Sequence, residues 1–129
     1  TNPTGSDAPE NYSTARDLIG LATEIEMTHP ELWAMTRIQE TFVFSQDGTR
    51  HGVVNTNPLL GEFPAIYGSK TGFDDEARGA LLLLYQLAPA DPTAVVLLRS
   101  YDRTADGRTA LQWLESSFRL EMPNPRHPQ

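Results

Sequence analysis

The sequence contains no cysteine. Thiol catalysis, disulfide bridging and cysteine-ligated zinc are therefore excluded, and the redox state of the compartment leaves no mark on it. Basic residues are few and scattered, ten Lys and Arg against seventeen Asp and Glu, for a formal net charge of −7. A nucleic-acid footprint needs a clustered basic face, so nucleic acid is not an expected partner. Long apolar runs are also missing: the longest, "ALLLLYQLAPA" from Ala80 to Ala90, is far too short to span a bilayer. His29, His51 and His127 are far apart and lack the i, i+4 spacing of a metal-binding helix, so each reads as a surface or packing residue. The opening "TNPTG" has neither an initiator Met nor a signal-peptide pattern, and targeting cannot be read from it.

What is present fits one globular domain. Its 129 residues are 39% apolar and 21% charged, enough to bury about two-thirds of the unfolded surface. Residues 1–12, with Pro3, Gly5 and Pro9, read as an irregular lead-in. "STARDLIGLATEIEMTH" predicts a helix, with Ser13 or Thr14 as cap, Asp17 in the first turn, and Leu18, Leu21, Ala22 and Ile25 at helical spacing. Pro30 ends that helix or opens a short one over "ELWAM". "ETFVFSQDGTRHGVVN" predicts a hairpin turning at Asp47-Gly48. "TNPLLGEFPA" reads as a loop, "TAVVLLRSY" as a buried strand, and "ADGRTALQWLESSFRL" as an amphipathic helix with Ala110, Leu111, Leu114 and Phe118 in one stripe. Trp33 and Trp113 lie in helical apolar patterns and are expected in the core. Residues 122–129, "MPNPRHPQ", read as a proline-rich tail or linker. "DDEARGALLLLYQLA" is ambiguous: propensity favours a helix, whereas Gly79 and four consecutive leucines suit a strand buried on both faces.

The stretch "IYGSKTGFDDEARG" carries the chemical question. A phosphate-binding P-loop needs Gly, four residues, then Gly-Lys-Ser/Thr, and here Ser69 separates Gly68 from Lys70, so the spacing fails. Two readings remain. One is an exposed turn with a solvated lysine. The other is a strand edge lining a cleft, where Lys70 supplies positive charge and Thr71 a hydroxyl for a carboxylate. Gly72 would then leave bare backbone for an extended peptide, and the Phe73 N–H would face a developing oxyanion. Asp74, Asp75 and Glu76 are adjacent in a turn and read as solvated. Arg99, Tyr101 and Arg103 end a strand and carry no distinguishing signal.

"GSKTGF" followed by "DEA" resembles the third motif of the serine-type D-alanyl-D-alanine carboxypeptidases, the low-molecular-mass penicillin-binding proteins. "TNPTG…NYSTARDL" (1–18), "NTNPLLG" (55–61) and "AVVLLRSYDRTADGRTALQWL" (94–114) resemble the same family in the same order. The resemblance covers nearly the whole chain apart from the tail. It implies an α+β fold, a β-lactamase/transpeptidase-like antiparallel sheet with packed helices, incomplete in this chain. Three consecutive strands are expected at 68–73, 78–88 and 94–101, which decides the ambiguous segment in favour of strand.

The same resemblance implies hydrolysis of the terminal D-Ala-D-Ala bond of peptidoglycan stem peptides through an acyl-serine intermediate. It implies β-lactams as ligands of the parent protein, no metal or organic cofactor, and an extracytoplasmic location. Lys70 is the implied catalytic residue; Thr71, Gly72 and Phe73 are the implied substrate-binding residues. The family's Ser-x-x-Lys and Ser-x-Asn motifs are absent: "STAR" and "SSFR" place arginine where a lysine base is required, and arginine cannot be deprotonated. Residues 1–121 are thus expected to be the C-terminal part of a catalytic domain. Its partner would be the missing N-terminal half, or a second copy, along an open sheet edge. The alternative is a non-catalytic peptidoglycan-binding or structural module. Two departures from the family's pattern, Asp74 in place of threonine and Arg78 in place of glycine, put the detailed substrate contacts at issue more than the fold.

Overall fold

The computed structural model describes residues 4–6, 8–88 and 91–118; the tail at 122–129 lies outside them. Helix α1 (Ala15–Thr28) starts where Thr14 closes a capping box, its Oγ1 accepting from Asp17 N–H while the Asp17 carboxylate accepts from Thr14 N–H. Pro30 opens α2 (Pro30–Thr36) at its first position, where a missing N–H costs nothing. β1 (Glu40–Phe44) and β2 (Arg50–Val54) form the expected hairpin as a separate two-stranded sheet. Its turn spans residues 45–49, and of the Asp-Gly pair Gly48 takes the left-handed conformation, at φ 83°. The segment expected as a plain loop instead holds a one-turn helix, α3 (Leu59–Glu62). Leu59 and Leu60 are buried there, and burial stabilises a turn that Pro58 and Gly61 alone do not specify.

β3 (Ile66–Asp74), β4 (Arg78–Ala88) and β5 (Asp91–Ser100) form an antiparallel sheet in the order β3-β4-β5. The ambiguous segment is a strand. Leu81, Leu83 and Tyr85 pack on one face with Leu59, Phe63, Leu111 and Leu114. Leu82 and Leu84 pack on the other with Ala22 and Trp33. Helix propensities differ by at most ~0.7 kcal/mol per ordinary residue, whereas each buried leucine contributes about 1.5–3 kcal/mol. Both faces of β4 are covered, so burial decides. β5 is half-buried rather than wholly buried, and Leu98 is exposed. Among the described residues β5 has β4 as its one strand neighbour, as expected for an open edge.

α4 (Arg103–Ser117) begins two residues before the expected start, because Asp102 accepts from the N–H groups of Thr104 and Ala105 at 3.1 and 2.9 Å. Its buried stripe is Gly107, Leu111 and Leu114. Trp113 lies on the opposite side of the helix, 58% exposed, and corrects the expectation of a core residue. It meets Phe118 edge-to-face at 5.7 Å. Phe118 continues the stripe's spacing, but there the chain has left helical geometry and the ring is half exposed. Trp33, by contrast, is buried as expected. It lies flat against Gly68, where an added Cβ would come within 3.0–3.2 Å of its Cβ and ring carbons. The bidentate pair of Arg108 and Glu62, at 2.6 and 2.7 Å, ties α4 to α3 and holds the Glu62 carboxyl below its usual range.

Two predictions concern this core. A Cβ at Gly107 would lie 2.7 Å from Leu81 Cδ2 and 2.9 Å from Leu59 Cδ1. Gly107→Val should therefore lower unfolding free energy by about 1–3 kcal/mol through overpacking; an unchanged urea midpoint would show that the α4–sheet contact is looser than described. The second concerns alkaline pH. Burial, and then the hydrogen bond that Tyr85 Oη donates to Glu115 Oε1, push the Tyr85 hydroxyl from 10.0 to about 12. The folded state holds this proton more tightly than the unfolded chain. Its stabilisation is complete below pH 10.0 and is lost as pH rises towards about 12. Tyr85→Phe should flatten the fall of the urea midpoint across that window, and an identical slope in both proteins would refute the assignment.

Candidate functional site

Lys70, Thr71, Gly72 and Phe73 sit together on β3, an edge strand of the sheet. The orientation of their backbone follows from Ser69. Its N–H donates to Thr36 Oγ1 at 3.0 Å, on the side away from β4. Pairing with β4 runs without a register shift from Gly68 to Asp74. N–H groups alternate in direction along such a strand, so those of Thr71 and Phe73 point to the open edge, while Lys70 and Gly72 pair with Leu82 and Ala80. Among the described residues the two N–H groups thus form an outward row of donors with no strand partner, the arrangement that an extended chain or a localised anion requires.

Two recesses flank the motif, and Lys70 and Thr71 line both. Lys70 and Gly72 border an apolar groove of about 400 Å³ between α1 and the sheet, walled by Leu18, Leu21, Leu82 and Leu97. The exposed Lys70 Nζ donates to the backbone carbonyl of Thr71, which keeps its charge beside the edge. A Cβ on Gly72 would meet Ala80 Cβ at 3.6 Å, ordinary van der Waals contact. Packing within the chain therefore does not demand glycine at this position. The Phe73 side chain is 63% exposed.

Thr71 also lines the second recess, of about 260 Å³, with Thr36, Val54, Asn55, Thr56, Ser69 and Lys70. Its Oγ1 lies 2.6 Å from Thr56 Oγ1. The loop holding Thr56 is fixed on both sides. Asn55 Nδ2 donates to the carbonyls of Thr36 and Ile38 at 2.9 and 3.0 Å, and Asn55 Oδ1 accepts from Asn57 N–H at 3.0 Å. Asn57 is buried, and its Oδ1 accepts from Leu59 N–H at 3.2 Å. Sequence reasoning had read this stretch as a loop and missed Thr56. An Asn-Thr-Asn string shows no partner until the loop and β3 are seen side by side.

The remaining candidates fall elsewhere. His29 contacts Glu31 at 3.2 Å near the end of α1, and His51 contacts Ser45 at 3.2 Å in the hairpin. Among the described residues no group of three or more His, Asp or Glu is placed to hold a metal, and no helix is long and apolar enough to cross a membrane. Asp74 Oδ1 accepts from Asp75 N–H at 2.6 Å in the β3–β4 turn. Arg78, with φ 61°, and Arg99, with φ 58°, adopt the left-handed conformation, uncommon without glycine. The Arg78 guanidinium lies 5.4 Å over the Tyr101 ring. Arg103 packs its Cβ beside Gly79 rather than entering the recess at Thr71.

This arrangement has counterparts in known proteins. A family model described as D-alanyl-D-alanine carboxypeptidase matches residues 1–97. The D-alanyl-D-alanine carboxypeptidase DacF of Bacillus subtilis is 31% identical over 80 residues, which cover 62% of this chain and 20% of that protein. Among solved structures, a D-alanyl-D-alanine carboxypeptidase from Mycobacterium tuberculosis superposes with a TM-score of 0.72 at 22% identity, over 96% of this chain and 47% of its own. Penicillin-binding protein D2 from Listeria monocytogenes, in its cefotaxime-bound form, gives 0.70 at 24% identity, over 88% and 46%. The two structures share the fold, and the chain spans about half the length of each and a fifth of DacF. The family match extends over three-quarters of the chain and takes in all of β3 with its Lys-Thr-Gly edge, so the chain belongs to the D-alanyl-D-alanine carboxypeptidase family.

Proposed function

We propose that these residues supply the Lys-Thr-Gly wall of the cleft of a serine D,D-carboxypeptidase, which hydrolyses the terminal D-Ala-D-Ala bond of peptidoglycan stem peptides. The outward row of Thr71 and Phe73 N–H groups beside Lys70 is the observation that carries this reading. A stem peptide lies along β3 as an added strand. Thr71 Oγ1 donates to its terminal carboxylate, and Gly72 leaves room for close approach. The Phe73 N–H donates to the oxyanion of the tetrahedral intermediate. Lys70 places positive charge where negative charge develops and assists proton transfer. β-Lactams, which carry a carboxylate and an acylating carbonyl, occupy the same wall. The substrate's place in the cell wall puts the reaction outside the cytoplasmic membrane.

The nucleophile lies outside these residues, because Ser-x-x-Lys does not occur among the 129. Residues 1–121 act as the C-terminal part of the catalytic domain, and the N-terminal half docks along β5 and over the apolar groove. Two features support that docking: β5 has one strand neighbour among the described residues, and Leu21 and Leu98 are 56% and 42% exposed beside the groove.

Two experiments test the reading. The 129 residues alone should take no covalent label from a fluorescent penicillin and release no D-alanine, since donors without a nucleophile bind but do not acylate. The full-length protein should do both, and Lys70→Ala should cost it about 10²–10³-fold in acylation rate. Labelling of the isolated chain would reveal an unrecognised nucleophile, and indifference to Lys70→Ala would refute the role of the motif. In sedimentation, the isolated chain should self-associate through its unpaired β5 edge; a monodisperse monomer at high concentration would count against the docking of a missing half there.

A further inference from the structure

We infer that Thr56 is a positioning residue for Thr71, orienting the hydroxyl that binds the substrate's terminal carboxylate; the inference rests on the cleft-wall reading above. The 2.6 Å separation of the two Oγ1 atoms requires one hydroxyl to donate to the other. A hydroxyl has one proton to give and lone pairs to accept with, whereas a carboxylate accepts only. When a carboxylate occupies the cleft, the Thr71 proton goes to it, and the Thr71 lone pair takes the Thr56 proton. The relay therefore runs Thr56 to Thr71 to carboxylate. Each bond polarises the next, and accepting the Thr56 proton takes one of the positions around Thr71 Oγ1, which confines the Thr71 proton to the remaining two.

The surroundings separate this role from a structural one. Thr56 is exposed, and the loop that carries it is held by Asn55 and Asn57 rather than by its own side chain. Thr36 anchors the far side of the recess, accepting from Ser69 N–H at 3.0 Å and donating to the Trp33 carbonyl at 2.8 Å. The recess walls thus persist without the Thr56 hydroxyl, and what its removal alters is the direction of a single proton. Only β3 and the β2–α3 loop together create this pair, which lies fifteen residues apart in sequence.

The test uses the full-length protein with Thr56→Val, Thr56→Ser, Thr71→Val and the double Thr56→Val/Thr71→Val variant. Substrates are a D-Ala-D-Ala peptide with a free C-terminal carboxylate and the same peptide as its C-terminal methyl ester. Thr56→Val should lower kcat/KM for the free acid about three- to tenfold, the worth of one neutral hydrogen bond, mainly through KM. It should leave the ester nearly unchanged. Thr56→Ser should restore the free-acid value, and the double variant should be no worse than Thr71→Val alone. Equal losses on acid and ester, no loss on either, or additive losses in the double variant would overturn the relay while leaving the carboxylate clamp standing. If Thr71→Val itself fails to discriminate acid from ester, the clamp falls, and the relay with it.

Discussion

Burial of β4 on both faces is the constraint on which the rest of this structure depends. Leu81, Leu83 and Tyr85 point into one cluster and Leu82 and Leu84 into the other, so the central strand takes part in both cores, and its neighbours add Ile66 and Tyr67 from β3 and Ala94 to Leu97 from β5. α3 and α4 complete one side, α1 and α2 the other. Each layer also packs on β5, α1 on one face of the sheet and α4 on the other. Once β4 is pinned from above and below, its pairing with β3 sets the register of the Lys-Thr-Gly segment. The position of Lys70 relative to Thr71 and Phe73 is then a consequence of leucine packing one strand away.

The edge itself is fixed from the outside by polar contacts. Thr36 takes the Ser69 N–H, Asn55 ties the β2–α3 loop to the end of α2, and Thr56 reaches Thr71. An edge strand left wholly free would be an aggregation template. Here the Thr36 side chain caps the Ser69 N–H, and the outward N–H groups of Thr71 and Phe73 lie beyond it. The division between satisfied and unsatisfied backbone groups along β3 is what distinguishes a binding edge from an exposed one.

The sequence made some of this legible and concealed the rest for physical reasons. The α1 capping box, Pro30 at the start of α2 and the Asp47-Gly48 turn are local devices, written in neighbouring residues and readable without tertiary information. β4 was not readable locally, since its leucines satisfy helix and strand templates equally and only burial on two faces decides. Its assignment came from family resemblance. The stripe on α4 was legible at Leu111 and Leu114, which are buried, whereas Trp113 was placed in the core for its apolarity although it lies on the far side of the helix from them. The roles proposed for Lys70 to Phe73 come from the motif. That of Thr56 does not, because its meaning lies in a partner on another element.

The contact between Gly68 and Trp33 bears on how this cleft could change over evolutionary time. The indole covers the α-carbon so closely that position 68 has no room for a side chain unless Trp33 moves, and Trp33 belongs to the α1–α2 core. Glycine at the start of the motif is thus held by packing, two residues before the first chemically relevant group. At the other end, Phe73 is 63% exposed and meets no such restriction. Substitution along β3 is therefore graded: at Gly68 a side chain requires Trp33 to give way by a few tenths of an ångström, and at Phe73 the exposed ring imposes no such adjustment.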